Sequence, residues 1–210
     1  TCIGNDKPRS YPKWNLMQGD FLARFAAAGF TTEQVDTVLC THMHVDHVGW
    51  NTRWVDGRWQ PTFPRAQYLF AEDEWHHWRQ EAQEYGPVIE DSVQPIFDAG
   101  QAVIVAQQHQ VTDEVSLQPT PGHTPGHVSV RIQSRGEVAI ITGDMIHHPC
   151  QIAHPQWSTL ADTDPRAAAQ TRGDFLQRYG DQPVLVIGTH FAAPTAGHIV
   201  KDGNSYRLDY

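Results

Sequence analysis

Three short, largely apolar runs in this chain each stop at histidine or aspartate. Val35 to Cys40 leads into Thr41-His42-Met43-His44-Val45-Asp46-His47, Val138 to Ile141 into Thr142-Gly143-Asp144, and Val184 to Ile187 into Gly188-Thr189-His190. Short apolar runs bounded by turn residues read as buried strands. Alternate residues at a strand end project the same way, so His42 and His44 can share one ion, while the turn that follows lets Asp46 and His47 swing toward a second. Imidazole nitrogen and carboxylate oxygen are the donors that zinc and similar divalent ions take. Single histidines are usually surface or satisfied core residues, but four potential ligands within six positions are a specific signal. Gly143-Asp144 or Gly188-Thr189-His190 alone would mark only a turn.

The remaining elements alternate in kind. Gly19 to Ala28 carries a helical apolar face of Phe21, Leu22, Phe25 and Ala28 that ends at Gly29. Thr31-Thr32-Glu33-Gln34 starts a short helical turn. Residues 50 to 64, rich in Trp, Arg, Gly and Pro, read as an irregular excursion. Arg65 to Ala71 is expected as a strand and Glu72 to Glu84 as a helix, followed by short strands at Ala102 to Ala106 and Val115 to Pro119. Val128 to Ile132 and Val138 to Ile141 suggest a hairpin around Ser134-Arg135-Gly136. A helix is expected from Pro165 to Tyr179, with the proline at its first position. Ile199 to Leu208 reads as a closing hairpin across Asp202-Gly203-Asn204. Strands alternating with helices, with the chemistry at strand ends, indicate an α/β architecture.

A chain of 210 residues is long enough for one domain with a real core, and 40% hydrophobic residues is an ordinary globular share. No run approaches a membrane span. The formal charge of −9 argues against nucleic acid as a partner, because a phosphate backbone selects a basic surface. Cys2, Cys40 and Cys150 form neither a complete disulfide framework nor a zinc-finger spacing, and Cys40 reads as a small buried hydrophobe.

His-x-His-x-Asp-His at residues 42 to 47 resembles the signature of the metallo-β-lactamase superfamily. Pro121-Gly122-His123-Thr124-Pro125-Gly126-His127, Gly143-Asp144 and Gly188-Thr189-His190 are similar to that family's later motifs, in order, so the resemblance covers nearly the whole chain. It implies an αββα sandwich, here lacking its first strands. Thr1-Cys2-Ile3-Gly4-Asn5-Asp6-Lys7 looks like the segment that follows those strands, so the chain is expected to be a single domain, residues 1 to 210, truncated at its N-terminus. A signal peptide cannot be assessed from such a start, and the cytoplasm is the favoured compartment.

The same resemblance implies a ligand set. His42, His44 and His123 hold one metal, Asp46, His47 and His190 hold the other, and Asp144 bridges them. Two divalent ions are implied, zinc first, with manganese, iron or cobalt as alternatives. They would activate a shared water as hydroxide for attack on a carbonyl or phosphoryl centre. Asp46 and Asp144 are then the catalytic carboxylates, Asp46 managing the proton. The second half, through Met145-Ile146-His147-His148, Asp162-Thr163-Asp164 and Tyr206-Arg207, is similar to the methyl-parathion hydrolase and quorum-quenching lactonase branch. The implied function is opening of lactones or hydrolysis of small esters, with organophosphate triester hydrolysis or a non-catalytic metal-binding module as alternatives. One group of lactonases carries a tyrosine just beyond the bridging aspartate, and Met145 to His148 offers none. A homodimer follows from the resemblance alone.

Trp50, His147 and Phe191 adjoin ligands and are the expected walls of a substrate pocket. Trp75 and Trp78, one helical turn apart, read instead as packing a helix onto the sheet. His127 is expected to support the fold or a ligand rather than to bind metal.

Overall fold

The structure, a computed structural model, describes residues 2–81 and 85–210. The backbone gathers into two compact units, Thr1–Val105 and Ala106–Tyr210.

In the first unit, helix α1 (Phe21–Ala27) precedes strand β1 (Thr37–Leu39), which runs into helix α2 (Val45–Val48). Strands β2 (Thr52–Val55) and β3 (Arg58–Pro61) form an antiparallel hairpin where an irregular excursion was expected. Its turn is Asp56-Gly57, both at positive φ, a pair suited to a two-residue hairpin. Strand β4 (Gln67–Ala71) passes directly into helix α3 (Glu72–Trp78), and α4 (Val88–Ser92), α5 (Gln94–Asp98) and β5 (Ala102–Val105) complete the unit. The expected helix 72–84 thus ends early, and its residues 82–84 lie outside the described residues. Strands β1, β4 and β5 form a parallel sheet in the order β1-β4-β5. Tyr68 and Phe70 on β4 are buried against Val38, Val93 and Ile96, each large side chain contributing about 2–3 kcal/mol of burial.

The second unit is a six-stranded sheet in the order β11-β10-β9-β8-β7-β6. Its strands are β6 (Val115–Pro119), β7 (Val128–Ser134), β8 (Glu137–Ile141), β9 (Val184–Ile187), β10 (Ala196–Asp202) and β11 (Ser205–Asp209). Only β8 and β9 run parallel. Antiparallel strands need only a tight turn, but a parallel pair needs a crossover, supplied here by helices α6 (Cys150–Ala153) and α7 (Pro165–Tyr179). Helix α7 starts and stops where the sequence says. Asp164 caps it by accepting from the Arg166 and Ala167 N–H groups, and Pro165 takes the first position. Its inward residues Phe175 and Leu176 pack on Ile140, Val186 and Ile199 of the sheet. The hairpins expected around Ser134-Arg135-Gly136 and Asp202-Gly203-Asn204 are present as β7–β8 and β10–β11. Both units mix helices and sheets, in keeping with the α/β expectation.

Candidate metal centre

In the first unit the strand stops at Leu39, before the histidines, so strand alternation is not what orients them. Thr41 to His44 form a loop, and α2 begins immediately after His44. His42 is fully buried and His47 nearly so. The His42 ring lies 4.8 Å from that of His44 and 4.0 Å from that of His47, centroid to centroid. His42 and His44 offer ligand atoms within 4.8 Å of each other, and so do Asp46 and His47.

A residue that sequence reasoning passed over holds this loop. Glu74 on α3 is buried, and its Oε1 accepts from the Met43 N–H at 2.8 Å and the Trp78 indole N–H at 2.6 Å. The backbone between His42 and His44 is thereby fixed to α3. The Trp78 ring in turn lies edge-on to His44 at 5.1 Å. Trp75 has the packing role expected of it, stacked 4.2 Å from Phe97.

In the second unit, candidate ligands follow the ends of β6, β8 and β9. Asp144 is buried in the 3-10 turn Gly143–Met145, and its Oδ2 is ringed by imidazoles. It lies 3.5 Å from His123 Nε2, 3.2 Å from His190 Nε2 and 3.2 Å from His147 Nε2. The His147 ring stacks on that of His190, with 5.5 Å between centroids and 7° between planes.

The loop carrying His123 is fastened to α7. Gly122 sits at φ +129°, and a Cβ there would come within 2.2 Å of the Ala168 nitrogen, so only glycine allows the approach. Across that contact the Thr163 and Asp164 N–H groups donate to the His123 and Gly122 carbonyls, each at 2.9 Å. On the imidazole itself, Nδ1 lies 3.0 Å from Asp162 Oδ1. Burial opposes ionisation of Asp162, but the hydrogen bond from His123 and the charge of Arg172 outweigh it and hold its carboxyl below the usual range.

His127 supports Asp144. The Asp144 N–H can only donate, so His127 Nε2, at 2.9 Å, accepts and its proton sits on Nδ1. Nδ1 therefore donates to Thr120 Oγ1 at 2.8 Å, the Thr120 hydroxyl to Ser129 Oγ at 3.0 Å, and the Ser129 hydroxyl to the Thr142 carbonyl at 3.0 Å. This chain of bonds has one consistent direction and begins and ends on the segment that carries Asp144.

Two of the three expected pocket residues are packed inside. Phe191 is 5% exposed within the core of the second unit. Its ring fills the space where a Gly188 Cβ would stand, 2.3 Å from Cγ. Trp50 is also 5% exposed and stacks on Phe21 at 5.4 Å. Sequence adjacency to a ligand placed neither ring at the surface. His147, by contrast, lies beside Asp144 with its side chain 20% exposed.

The metallo-β-lactamase superfamily pattern matches residues 11–197. The chain belongs to that superfamily. It is similar to an N-acyl homoserine lactonase from a Bacillus species, 29% identical over 107 residues, which are 50% of this chain and 36% of that enzyme. The match therefore takes in about a third of the length of the curated relative. Among solved structures it resembles the hydrolase AbOPH of the β-lactamase superfamily, 26% identical with a TM-score of 0.81, over 99% of this chain and 73% of that one. AidC, a dizinc quorum-quenching lactonase solved in complex with a product, superposes with a TM-score of 0.81 at 21% identity, over 100% of this chain and 73% of that one. The fold is thus the mixed α/β fold of this superfamily. Among the described residues no helix is long and apolar enough to cross a membrane.

Imidazole and carboxylate are the only donors in these clusters, and that set fits zinc or another divalent ion of similar preference. A thiolate takes no part among the described residues: Cys40 is buried beside Asn51, and burial pushes its thiol pKa up.

Proposed function

We propose that this protein is a metal-dependent hydrolase that opens lactones or cleaves related small esters, with residues 1 to 210 as a single metallo-β-lactamase-type domain. The observation that carries the reading is Asp144 Oδ2 with three imidazole Nε2 atoms between 3.2 and 3.5 Å from it. A buried carboxylate ringed by imidazoles is an arrangement that a divalent cation stabilises. By the superfamily resemblance, His42, His44 and His123 would hold one ion and Asp46, His47 and His190 a second, with Asp144 serving both. Zinc is the first choice. Support comes from the superfamily assignment, from the lactonase relative and from the dizinc lactonase AidC.

Divalent ions held there would acidify water and polarise the ester carbonyl. The chain's own residues supply the rest. The Asp46 carboxylate, with its side chain 26% exposed, takes up the proton released during attack and returns it to the leaving alkoxide. Glu74 and His127 keep the Met43 and Asp144 N–H groups bonded, so the ligands stay aligned as the substrate enters. His147 Nε2, beside Asp144 and part-exposed, can donate to an oxygen of the substrate when protonated there.

The test is kcat/KM of the metal-loaded protein for an acyl-homoserine lactone against an aryl phosphotriester, with metal content measured alongside. A strong preference for the lactone, abolished together with metal by Asp144→Ala, is the expected result. Preference for the phosphotriester would replace the substrate class. Metal bound without turnover of either would show a binding module.

A further inference from the structure

We propose that Asp162, clamped by Arg172, is a positioning residue that holds the imidazole proton of His123 on Nδ1 and so presents the unprotonated Nε2 to the metal position. The inference rests on His123 being a ligand, as in the reading above, and goes beyond it in assigning a role to two residues outside the ligand set.

The chemistry follows from donor and acceptor rules. An ionised carboxylate can only accept, so the 3.0 Å contact between Asp162 Oδ1 and His123 Nδ1 puts the imidazole proton on Nδ1. Nε2 is then left with its lone pair outward, and it lies on the Asp144 side of the ring, 3.5 Å from Oδ2. A neutral imidazole with Nε2 unprotonated is the form that binds a divalent ion, and a carboxylate behind it raises its basicity.

The buried Arg9–Asp91 pair shows, by contrast, what is particular about this one. Arg9 engages Asp91 as a fork, Nη1 at 2.6 Å to one oxygen and Nη2 at 3.0 Å to the other, so both carboxylate oxygens meet the guanidinium, with the Ser92 hydroxyl also donating to Oδ1 at 2.6 Å. Arg172 reaches Asp162 through Oδ2 alone, at 3.4 Å, with the Thr159 N–H also on that oxygen at 3.3 Å. Oδ1 faces the imidazole, with only a long 3.5 Å contact to the Thr159 hydroxyl besides. The geometry of Asp162 is set for His123 rather than for its arginine.

Arg172 is fully buried and anchored on several sides. Its Nε donates to the Pro155 carbonyl at 2.8 Å, Nη2 to Ser158 Oγ at 3.1 Å and Nη1 to the Met145 carbonyl at 3.3 Å. Met145 closes the turn that bears Asp144. One guanidinium therefore references both the aspartate behind His123 and the turn behind Asp144 to helix α7. It could not do so from lysine, whose ammonium has neither the reach nor the planar fan of donors.

The experiment compares wild type with Asp162→Asn, Asp162→Ala and Asp162→Glu. Zinc affinity is measured by chelator competition, and the ligand field by the visible spectrum of the cobalt-substituted protein. Asparagine keeps an acceptor but loses the charge. The expected order of affinity is wild type, then asparagine, then alanine, with a loss of about 10- to 100-fold at alanine and an altered cobalt spectrum. Glutamate should restore affinity in part. The same variants should lower kcat more than they raise KM. A purely structural residue would change the urea midpoint and leave affinity and spectrum of the folded protein alone. If asparagine and alanine bind zinc as tightly as wild type, with the wild-type spectrum, the inference is wrong while the proposed function stands. Failure of the wild type itself to bind zinc or cobalt would remove both.

Discussion

Lys7 offers a test of how this molecule carries buried charge. Its side chain is fully enclosed, with Nζ 2.7 Å from Thr52 Oγ1, 3.0 Å from the Asp91 carbonyl, 3.5 Å from Asp91 Oδ1 and 3.7 Å above the Trp59 ring. Burial lowers its pKa from 10.5 to about 8; Asp91 works against that fall and Arg9 adds to it. At about 1.4 kcal/mol per unit, this drop corresponds to about 3 kcal/mol. Below pH 8 both the folded and the unfolded chain hold the proton, and the folded state carries the whole cost. Between pH 8 and 10.5 the unfolded chain binds more of the proton than the folded one, so stability rises with pH through that window.

Lys7→Met removes the charge at similar length and strands no partner. Asp91 keeps both Arg9 bonds and the Ser92 hydroxyl at 2.6 Å, and the Thr52 hydroxyl still donates to the Asp91 carbonyl. The assay is urea unfolding of both proteins at matched metal load, from about pH 7 to about pH 10.5. The difference between them cancels every other titrating group. Stability of the wild type relative to the variant should climb by about 3 kcal/mol across the window. A flat difference would refute the claim that burial, rather than ion pairing, governs Lys7. So would a variant several kcal/mol less stable than wild type at neutral pH.

Two further changes probe the ligand loops. Glu74→Ala leaves the Met43 N–H and the Trp78 indole N–H without their acceptor, and should cost about 2–4 kcal/mol by urea unfolding, whereas Glu74→Gln should recover much of it; equal stability of all three proteins would show that the contact is incidental. His127→Phe removes the acceptor of the Asp144 N–H and should weaken zinc binding by about 10-fold or more in chelator competition, a prediction that unchanged affinity would end.

Much of this was readable where local chemistry decides the outcome. Helix α7 has the expected bounds because Asp164 and Pro165 set its start within two residues and Gly180 follows its end. Strands β8 and β9 are short apolar runs closed by glycine, and Asp144 and His190 follow them as expected. The hairpin at residues 52–61 was missed although Asp56-Gly57 signals it, because the Trp, Arg and Pro residues around it mask the alternation. Trp50 and Phe191 are packed inside because nearness to a candidate ligand in sequence does not set which way a ring turns; Phe21 and Gly188 decide that. Glu74 and Asp162 act on residues 31 and 39 positions away, and no spacing rule reaches so far.

These distant partners share a logic that the ligand motifs alone do not express. His42, His44, His123 and His190 stand on loops, the part of a fold with fewest constraints of its own, while Asp46 and His47 lie on the short helix α2 and Asp144 in a 3-10 turn. Three of these segments are held by a buried polar group from elsewhere in the same unit: Glu74 of α3 on Met43, His127 on the Asp144 N–H, and Arg172 of α7 on Asp162 and Met145. Burying such groups stabilises little and can cost several kcal/mol compared with apolar replacements of similar shape. What they supply is order before an ion arrives, so that binding need not fix the loops. The helices of this chain therefore do two jobs with opposite faces of the energy balance. Their apolar residues hold the sheets together, and their few buried polar residues spend part of that stability on keeping the candidate metal-binding groups in place.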